Sequence, residues 1–278
     1  EKFFYRSNNM KKIQLGNIRI AYTQAGHGPP LVLLHGGMED SRSWRQQIDG
    51  LFDEFTVFAW DAPGCGQSSD VLESWRLSNY ADALAGWLNK IALKRPHLLG
   101  LSWGSSLALE FYRRYSNIPL SLILASAYAG WKGSLPPDEV ATRLENILAS
   151  VNLPLEEVVE SWLSILSRPL PGELIHELTT IWGDNSGRSH PGGFRAMAYS
   201  MAEADLRDVL PQIQIPTLLL YGELDQRSPL KVANDLLRLI PLAKLAIIPQ
   251  AGHLANAEAP EEFNRHVRRF LRSVSGYG

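Results

Sequence analysis

One cysteine, Cys65, is all the chain has in 278 residues. An internal disulfide needs two and a thiolate metal cluster at least as many, so neither is available, and the usage suits a reducing compartment. The seven histidines never fall at His-x-x-x-His spacing, and no metal site is expected. Neither sign of charge dominates: 27 Lys and Arg stand against 29 Asp and Glu, a formal charge of -2. The densest cationic pairs, Lys11-Lys12, Arg113-Arg114 and Arg268-Arg269, read as solvated faces, which argues against nucleic acid as a partner. No apolar run approaches the ~18 residues of a membrane span, and Glu1 to Met10 lacks the unbroken apolar core of a signal peptide. The expectation is a cytoplasmic protein with no membrane partner, and the aromatic stretch Phe3-Phe4-Tyr5 is left without an assigned purpose.

What is present is an ordinary globular composition, 45% hydrophobic and 20% charged, on a chain long enough for one large domain with an insertion or for two small ones. Lys12 to Leu15 and Ile18 to Thr23 alternate apolar and polar residues about Gly16-Asn17, the pattern of an antiparallel hairpin. Leu31 to Leu34, Phe55 to Trp60, Leu98 to Leu101, Leu120 to Ala125, Thr217 to Tyr221 and Ala243 to Ile248 are short apolar runs, suited to strands buried on both faces of a parallel sheet. Helical patterns fall between them, at Ser41 to Phe52 and at Asn79 to Ile91, where Ala81, Leu84, Ala85, Leu88 and Ile91 recur at three or four. This rhythm predicts a mostly parallel, doubly wound α/β sheet with right-handed crossovers and an N-terminal antiparallel hairpin.

One stretch breaks the rhythm. From about Gly133 to Leu210 the chain reads as helices at Pro137 to Ala149, Leu155 to Leu166 and Gly172 to Ile181, a Gly-rich loop at Gly183 to Gly193, and a last segment at Phe194 to Val209. The expected organisation is a core over residues 1–130 and 211–278, with a helical cap, residues 131–210, inserted after a central strand. Such an insertion covers the carboxyl edge of the sheet, where open α/β folds bind ligands, or else only adds stability.

Between the apolar run ending at Leu99 and the amphipathic run Ser105 to Tyr112 lies Gly100-Leu101-Ser102-Trp103-Gly104. A serine flanked by glycines two residues away on each side, at a strand-to-helix junction, reads as a nucleophile elbow. The serine needs a strained backbone and close neighbours without side chains, and the helix behind it supplies free N–H groups. A serine hydroxyl is inert at neutral pH without a base, and the base needs an orienting acceptor. Asp225, after the run ending at Tyr221, and His253, after the run ending at Ile248, follow in the order Ser, Asp, His, both at expected strand ends. Glu223 is the rival to Asp225, with a loop contact or ion pair as its other reading. For the developing oxyanion, one donor is expected from the Trp103 amide and a second from His35-Gly36-Gly37-Met38, at Gly37 or, one residue on, Met38. His35 reads as a structural hydrogen-bonding residue.

With these pieces in hand the chain resembles the capped, single-domain serine hydrolases of the α/β-hydrolase fold. The resemblance runs through His35-Gly36, Asp61-Ala62-Pro63-Gly64-Cys65-Gly66-Gln67-Ser68, the elbow at Ser102, Gly222-x-x-Asp225 and Gly252-His253, and covers Ile13 to Leu271 except the cap. It implies an architectural role for the Asp61 to Ser68 loop, acyl transfer to water through an acyl-serine, and no cofactor. Family members that open epoxides or remove halogens carry Asp at the elbow, and Ser102 argues against both here.

The elbow is similar to that of proline iminopeptidases, whose cap acids hold a free amine; Glu203 and Asp205 fall near the end of the cap. Those peptidases usually carry His-Gly-Gly-Pro-Gly, where this chain has His35-Gly36-Gly37-Met38-Glu39-Asp40. Four readings therefore stand: hydrolysis of small carboxylic esters or lactones, an iminopeptidase-like aminopeptidase, carbon-carbon bond hydrolysis of diketone-type metabolites, and a non-catalytic receptor on the same fold. Met38, Trp103, Trp131, Trp162 and Trp182 suit an apolar pocket for a small-molecule substrate, although any of them also suits the core. Monomer and homodimer are both compatible with the sequence.

Overall fold

Gly16, at φ +58°, turns the chain between β1 (Lys11–Leu15) and β2 (Ile18–Ala25), with Leu15 opposite Ile18, as the alternation predicts. The computed structural model describes residues 10–274; the expected leader features of residues 1–9, Phe3 to Tyr5 included, lie outside the described residues. Six more strands follow: β3 (Pro30–Leu34), β4 (Thr56–Trp60), β5 (His97–Leu101), β6 (Ser121–Ala125), β7 (Thr217–Gly222) and β8 (Ala243–Ile248). They form one sheet in the order β1-β2-β4-β3-β5-β6-β7-β8, antiparallel from β1 through β2 to β4 and parallel from β4 to β8.

The apolar runs are continuous because the parallel strands face a core on each side, and successive residues divide between the two. Val32, Leu34 and Leu98 pack with α2 (Leu77–Lys90), α3 (Trp103–Arg114) and α9 (Leu230–Leu239) through Leu84, Leu107 and Leu236. Leu31, Leu33 and Leu99 pack with α1 (Arg45–Leu51) and α11 (Pro260–Val274) through Ile48, Phe263 and Val267. The parallel strands thus direct their carboxyl ends to one edge of the sheet.

Between β6 and β7 the chain forms α4 (Trp131–Ser134), α5 (Pro137–Ser150), α6 (Leu155–Leu163), α7 (Gly172–Asp184) and α8 (Pro191–Glu203); a short helix, α10 (Ala255–Glu258), precedes α11. Three boundaries differ from expectation. The segment from Ser41 starts as a 3-10 turn, Ser41–Trp44, whose first N–H groups are met by the Asp40 carboxylate accepting from Arg42 N–H at 3.0 Å, and only then becomes α1. The Gly-rich loop is shorter than its glycines suggest, because Gly183 stays within α7 and Pro191 opens α8, where its missing N–H costs nothing. And α8 ends at Glu203: Ala204 is extended (φ -69°, ψ 129°), and its carbonyl accepts from Gly133 N–H at 3.2 Å, turning the chain back toward β6.

Candidate active site

Ser102 is the hinge between β5 and α3, with φ 52° and ψ -109°, a conformation that L residues rarely adopt. Its neighbours hold it there. Ser102 N–H donates to Ala125 O at 2.9 Å, and its carbonyl accepts from Ser105 N–H at 3.0 Å. A Cβ on Gly100 would lie 2.3 Å from Gly104 O, and one on Gly104 would lie 2.1 Å from Leu34 O, so both flanking positions are closed to any side chain.

β7 and β8 deliver the two partners. His253 Nε2 lies 3.0 Å from Ser102 Oγ, and His253 Nδ1 lies 2.9 and 3.0 Å from the two oxygens of Asp225. A carboxylate facing Nδ1 makes that nitrogen the donor and leaves Nε2 to accept the serine proton. Asp225 also accepts from Arg227 N–H at 3.0 Å and Ser228 N–H at 2.8 Å, while the His253 carbonyl accepts from Ser126 Oγ at 2.9 Å. Burial works to raise the Asp225 carboxyl, but the facing imidazole and the Ser228 amide hold it below its ordinary value, so it stays ionised. Glu223 is exposed and accepts from Gln250 N–H at 2.9 Å, the loop contact of its alternative reading.

Around the serine, the amides of Gly37, Met38 and Trp103 have no acceptor among the described residues, and all three residues line the same cavity. His35 is fully buried beside them, with Nδ1 donating to Gly36 O at 2.8 Å and Nε2 accepting from Ala62 N–H at 3.0 Å. Burial lowers its pKa, so the neutral ring is a brace rather than a base. The Asp61 to Ser68 loop is tied in the same way: Asp61 accepts from Ser41 N–H and Gln67 N–H, and Ser68 Oγ donates to Asp61 O at 2.6 Å. Behind the glycines, Glu39 accepts from Gly36 N–H at 2.9 Å, and burial pushes its carboxyl up to about 7.

The cavity above Ser102 is lined mainly by apolar surface and has an internal volume of about 60 Å³. Met38, Trp131 and Trp162 line it together with Phe194, Met197 and Met201 of α8. Two residues expected there are elsewhere. Trp182 is wholly buried beneath Trp162, ring centroids 6.0 Å apart, because α7 turns that face to the core and not to the cavity. Glu203 lies outside the cavity lining and is held by Arg76, with bonds of 2.6 and 3.1 Å, and Asp205 is paired with Arg207; neither acid is free to meet an amine. Conversely, Phe194, Met197 and Met201 are not among the expected lining residues, although their helical spacing of three and four marks them as one face of α8. Glu39 and Arg227 also line the cavity and are not among the expected residues, although Glu39 follows Met38 directly and Arg227 lies two residues beyond Asp225. Among the described residues no group of three or more His, Cys, Asp or Glu is placed to hold a metal ion, and no helix is long and apolar enough to cross a membrane.

The sequence matches the model of the alpha/beta hydrolase family over residues 31–266. It is similar to a pimeloyl-(acyl-carrier protein) methyl ester esterase of Vibrio vulnificus (strain YJ016), 28% identical over 251 residues that cover 88% of this chain and 95% of the relative. A 2-hydroxy-6-oxononadienedioate/2-hydroxy-6-oxononatrienedioate hydrolase of Pseudomonas sp is 27% identical over 265 residues, 92% of each chain. Among solved structures, a thermophilic esterase from Thermogutta terrifontis superposes with a TM-score of 0.84 at 30% identity, covering 95% of this chain and 98% of that one.

Proposed function

Because this chain belongs to the alpha/beta hydrolase family, we propose that it is a serine hydrolase of small carboxylic esters and lactones, with Ser102 as nucleophile, His253 as general base and acid, and Asp225 as the orienting carboxylate. One observation carries the reading: the continuous path from Ser102 Oγ through His253 to Asp225, links of 3.0 and 2.9 Å, at the wall of a largely apolar cavity. The esterase relative and the esterase neighbour support the substrate class.

The steps follow from the atoms. As Ser102 Oγ attacks the substrate carbonyl carbon, its proton passes to His253 Nε2, and Asp225 holds Nδ1–H and steadies the imidazolium. The carbonyl oxygen, now negative, is met by the amide of Trp103 and that of Gly37, with Met38 the neighbouring alternative, at the N-terminal end of α3. His253 then gives its proton to the leaving alkoxide, and water, activated by the same imidazole, releases the acid from the acyl-serine. The reading needs no cofactor. An iminopeptidase reading loses its amine site, since Glu203 is committed to Arg76.

A fluorophosphonate probe tests the nucleophile, and a panel of short-chain esters, lactones, prolyl anilides and vinylogous diketones tests the reaction. Expected are labelling that Ser102→Ala abolishes and multiple turnovers on esters or lactones. Labelling that persists in Ser102→Ala, or a single slow turnover typical of a receptor, overturns the proposal.

A further inference from the structure

Most partly buried arginines of this protein have an acid to answer them. Arg42 pairs with Asp40 and Asp184, Arg45 with Glu177, Arg143 with Glu139, and Arg268 with Asp53 and Glu54. Arg227 is different. Its guanidinium makes no hydrogen bond or ion pair with any described residue, and its one specific contact is with the Trp162 ring, whose centroid lies 5.2 Å from the guanidinium carbon. The carboxylates whose charge reaches it are engaged elsewhere, Asp225 by His253 and Glu139 by Arg143. Burial pushes the guanidinium below its ordinary value, the mark of a cation taken from water without a partner. That state is costly, and an anion docking there relieves it.

The position of this cation is informative. Arg227 lines the cavity that holds Ser102 and His253, and it also lines a second cavity of about 320 Å³ beside it. Met38, Ile147 and Trp162 are likewise shared, so these four residues form the neck between the two. The second cavity is walled by Arg143 as well and has no acidic residue in its lining among the described residues; the acid of the first, Glu39, accepts from the Gly36 amide and has no ion pair with Arg227. A ligand whose carbonyl sits on Ser102 and whose chain runs along the Trp and Met walls ends against a guanidinium. Because the guanidinium is a rigid fork of donors, the group it best receives is a carboxylate, taken through paired N–H contacts.

We propose that Arg227 is a carboxylate-binding subsite of the pocket, and that the ester substrate carries an acid group at its far end, as a monoester of a dicarboxylic acid does. This rests on the serine-hydrolase reading of the same site and adds the substrate's charge to it. The guanidinium carbon lies over the Trp162 ring, and Met38, which accepts from Trp162 Nε1 at 3.1 Å, fixes that ring.

The test compares monomethyl esters of linear dicarboxylic acids, from succinate to azelate, with their neutral dimethyl esters. The wild-type protein is expected to favour the monoester, with one chain length best, and Arg227→Met is expected to lower kcat/KM for the monoester by about 10- to 100-fold more than for the diester. Arg227→Lys should restore part of the preference. An equal effect of Arg227→Met on both esters, or a wild-type preference for the diester, overturns the subsite. Failure of the serine-hydrolase reading looks different: neither ester is turned over and the probe does not label Ser102. Should Arg227→Met fail to fold, calorimetric titration of Ser102→Ala with monomethyl adipate and dimethyl adipate decides instead, and equal affinities for the two count against the proposal.

Discussion

The indole of Trp103 donates to Ser200 Oγ at 2.9 Å, and Ser200 in turn donates to Met197 O at 2.8 Å. The residue after the elbow serine is thereby tied to α8, the inserted helix that lines the cavity through Met197 and Met201. Both partners are buried. Ser200→Ala leaves the indole N–H without an acceptor, a loss of about 1–3 kcal/mol, and scanning calorimetry should find the midpoint lowered by roughly 3–10 °C. Since Trp103 also supplies a proposed oxyanion donor, kcat should fall more than KM rises. An unshifted midpoint would mean that the helix is not held through this bond.

The glycines near the serine are unequal in what they allow. A Cβ on Gly104 would meet backbone oxygen at 2.1 Å, whereas one on Gly37 would meet nothing nearer than Met197 Sδ at 4.0 Å. The first is rigid backbone in the crossing of α3 over β3, so nothing can yield. Gly104→Ala should therefore destabilise by about 3 kcal/mol or more, while Gly37→Ala should stay within about 1 kcal/mol of wild type. Urea titration of the two variants decides, and equal midpoints would contradict the close approach.

Glu39 makes the stability of the protein depend on pH. Its carboxyl is raised from 4.5 to about 7 by burial, so the stability it contributes is complete below about pH 4.5 and is lost as pH rises through 7. Glu39→Gln keeps an acceptor for Gly36 N–H but has no charge to bury. Relative to wild type, the variant should gain roughly 2–3 kcal/mol between pH 5 and pH 8.5. Asp61, also raised to about 6, is common to both proteins and largely cancels in the difference. Denaturant melts at the two pH values check it, and a difference that stays constant would place the Glu39 titration outside this window.

Where function depends on local backbone, the sequence is legible. Gly100 and Gly104 are needed within five residues of chain, and Asp225 and His253 fall where any strand of a parallel sheet must end. Side-chain direction on the inserted helices is another matter. Trp162 and Trp182 are equally apolar and sit on successive helices, yet only Trp162 reaches the cavity, because Trp182 is spent filling the space beneath it. Glu203 reads as a free acid until Arg76, 127 positions away, is folded against it. Arg227 lies two residues beyond Asp225, but the property that singles it out, a guanidinium with no acid paired to it among the described residues, exists only when every acid around it has been placed.

Asp225 is the residue at which geometry and electrostatics can be tested together. Its carboxylate accepts from three N–H groups, those of His253, Arg227 and Ser228. Asn in its place offers one oxygen and two N–H, so in any rotamer an amide N–H faces a donor, or His253 must move its proton to Nε2. In that tautomer the ring cannot accept from Ser102. Asp225→Asn should thus lower kcat by about 10⁴-fold and slow probe labelling in parallel. The same change should flatten the acid limb of stability: the carboxyl is held below its ordinary value, so its contribution is present above about pH 4 and is lost on further acidification, a loss the variant does not undergo. Undiminished labelling in Asp225→Asn would transfer the orienting role to another acid, with Glu223 at the head of the same loop the first to examine.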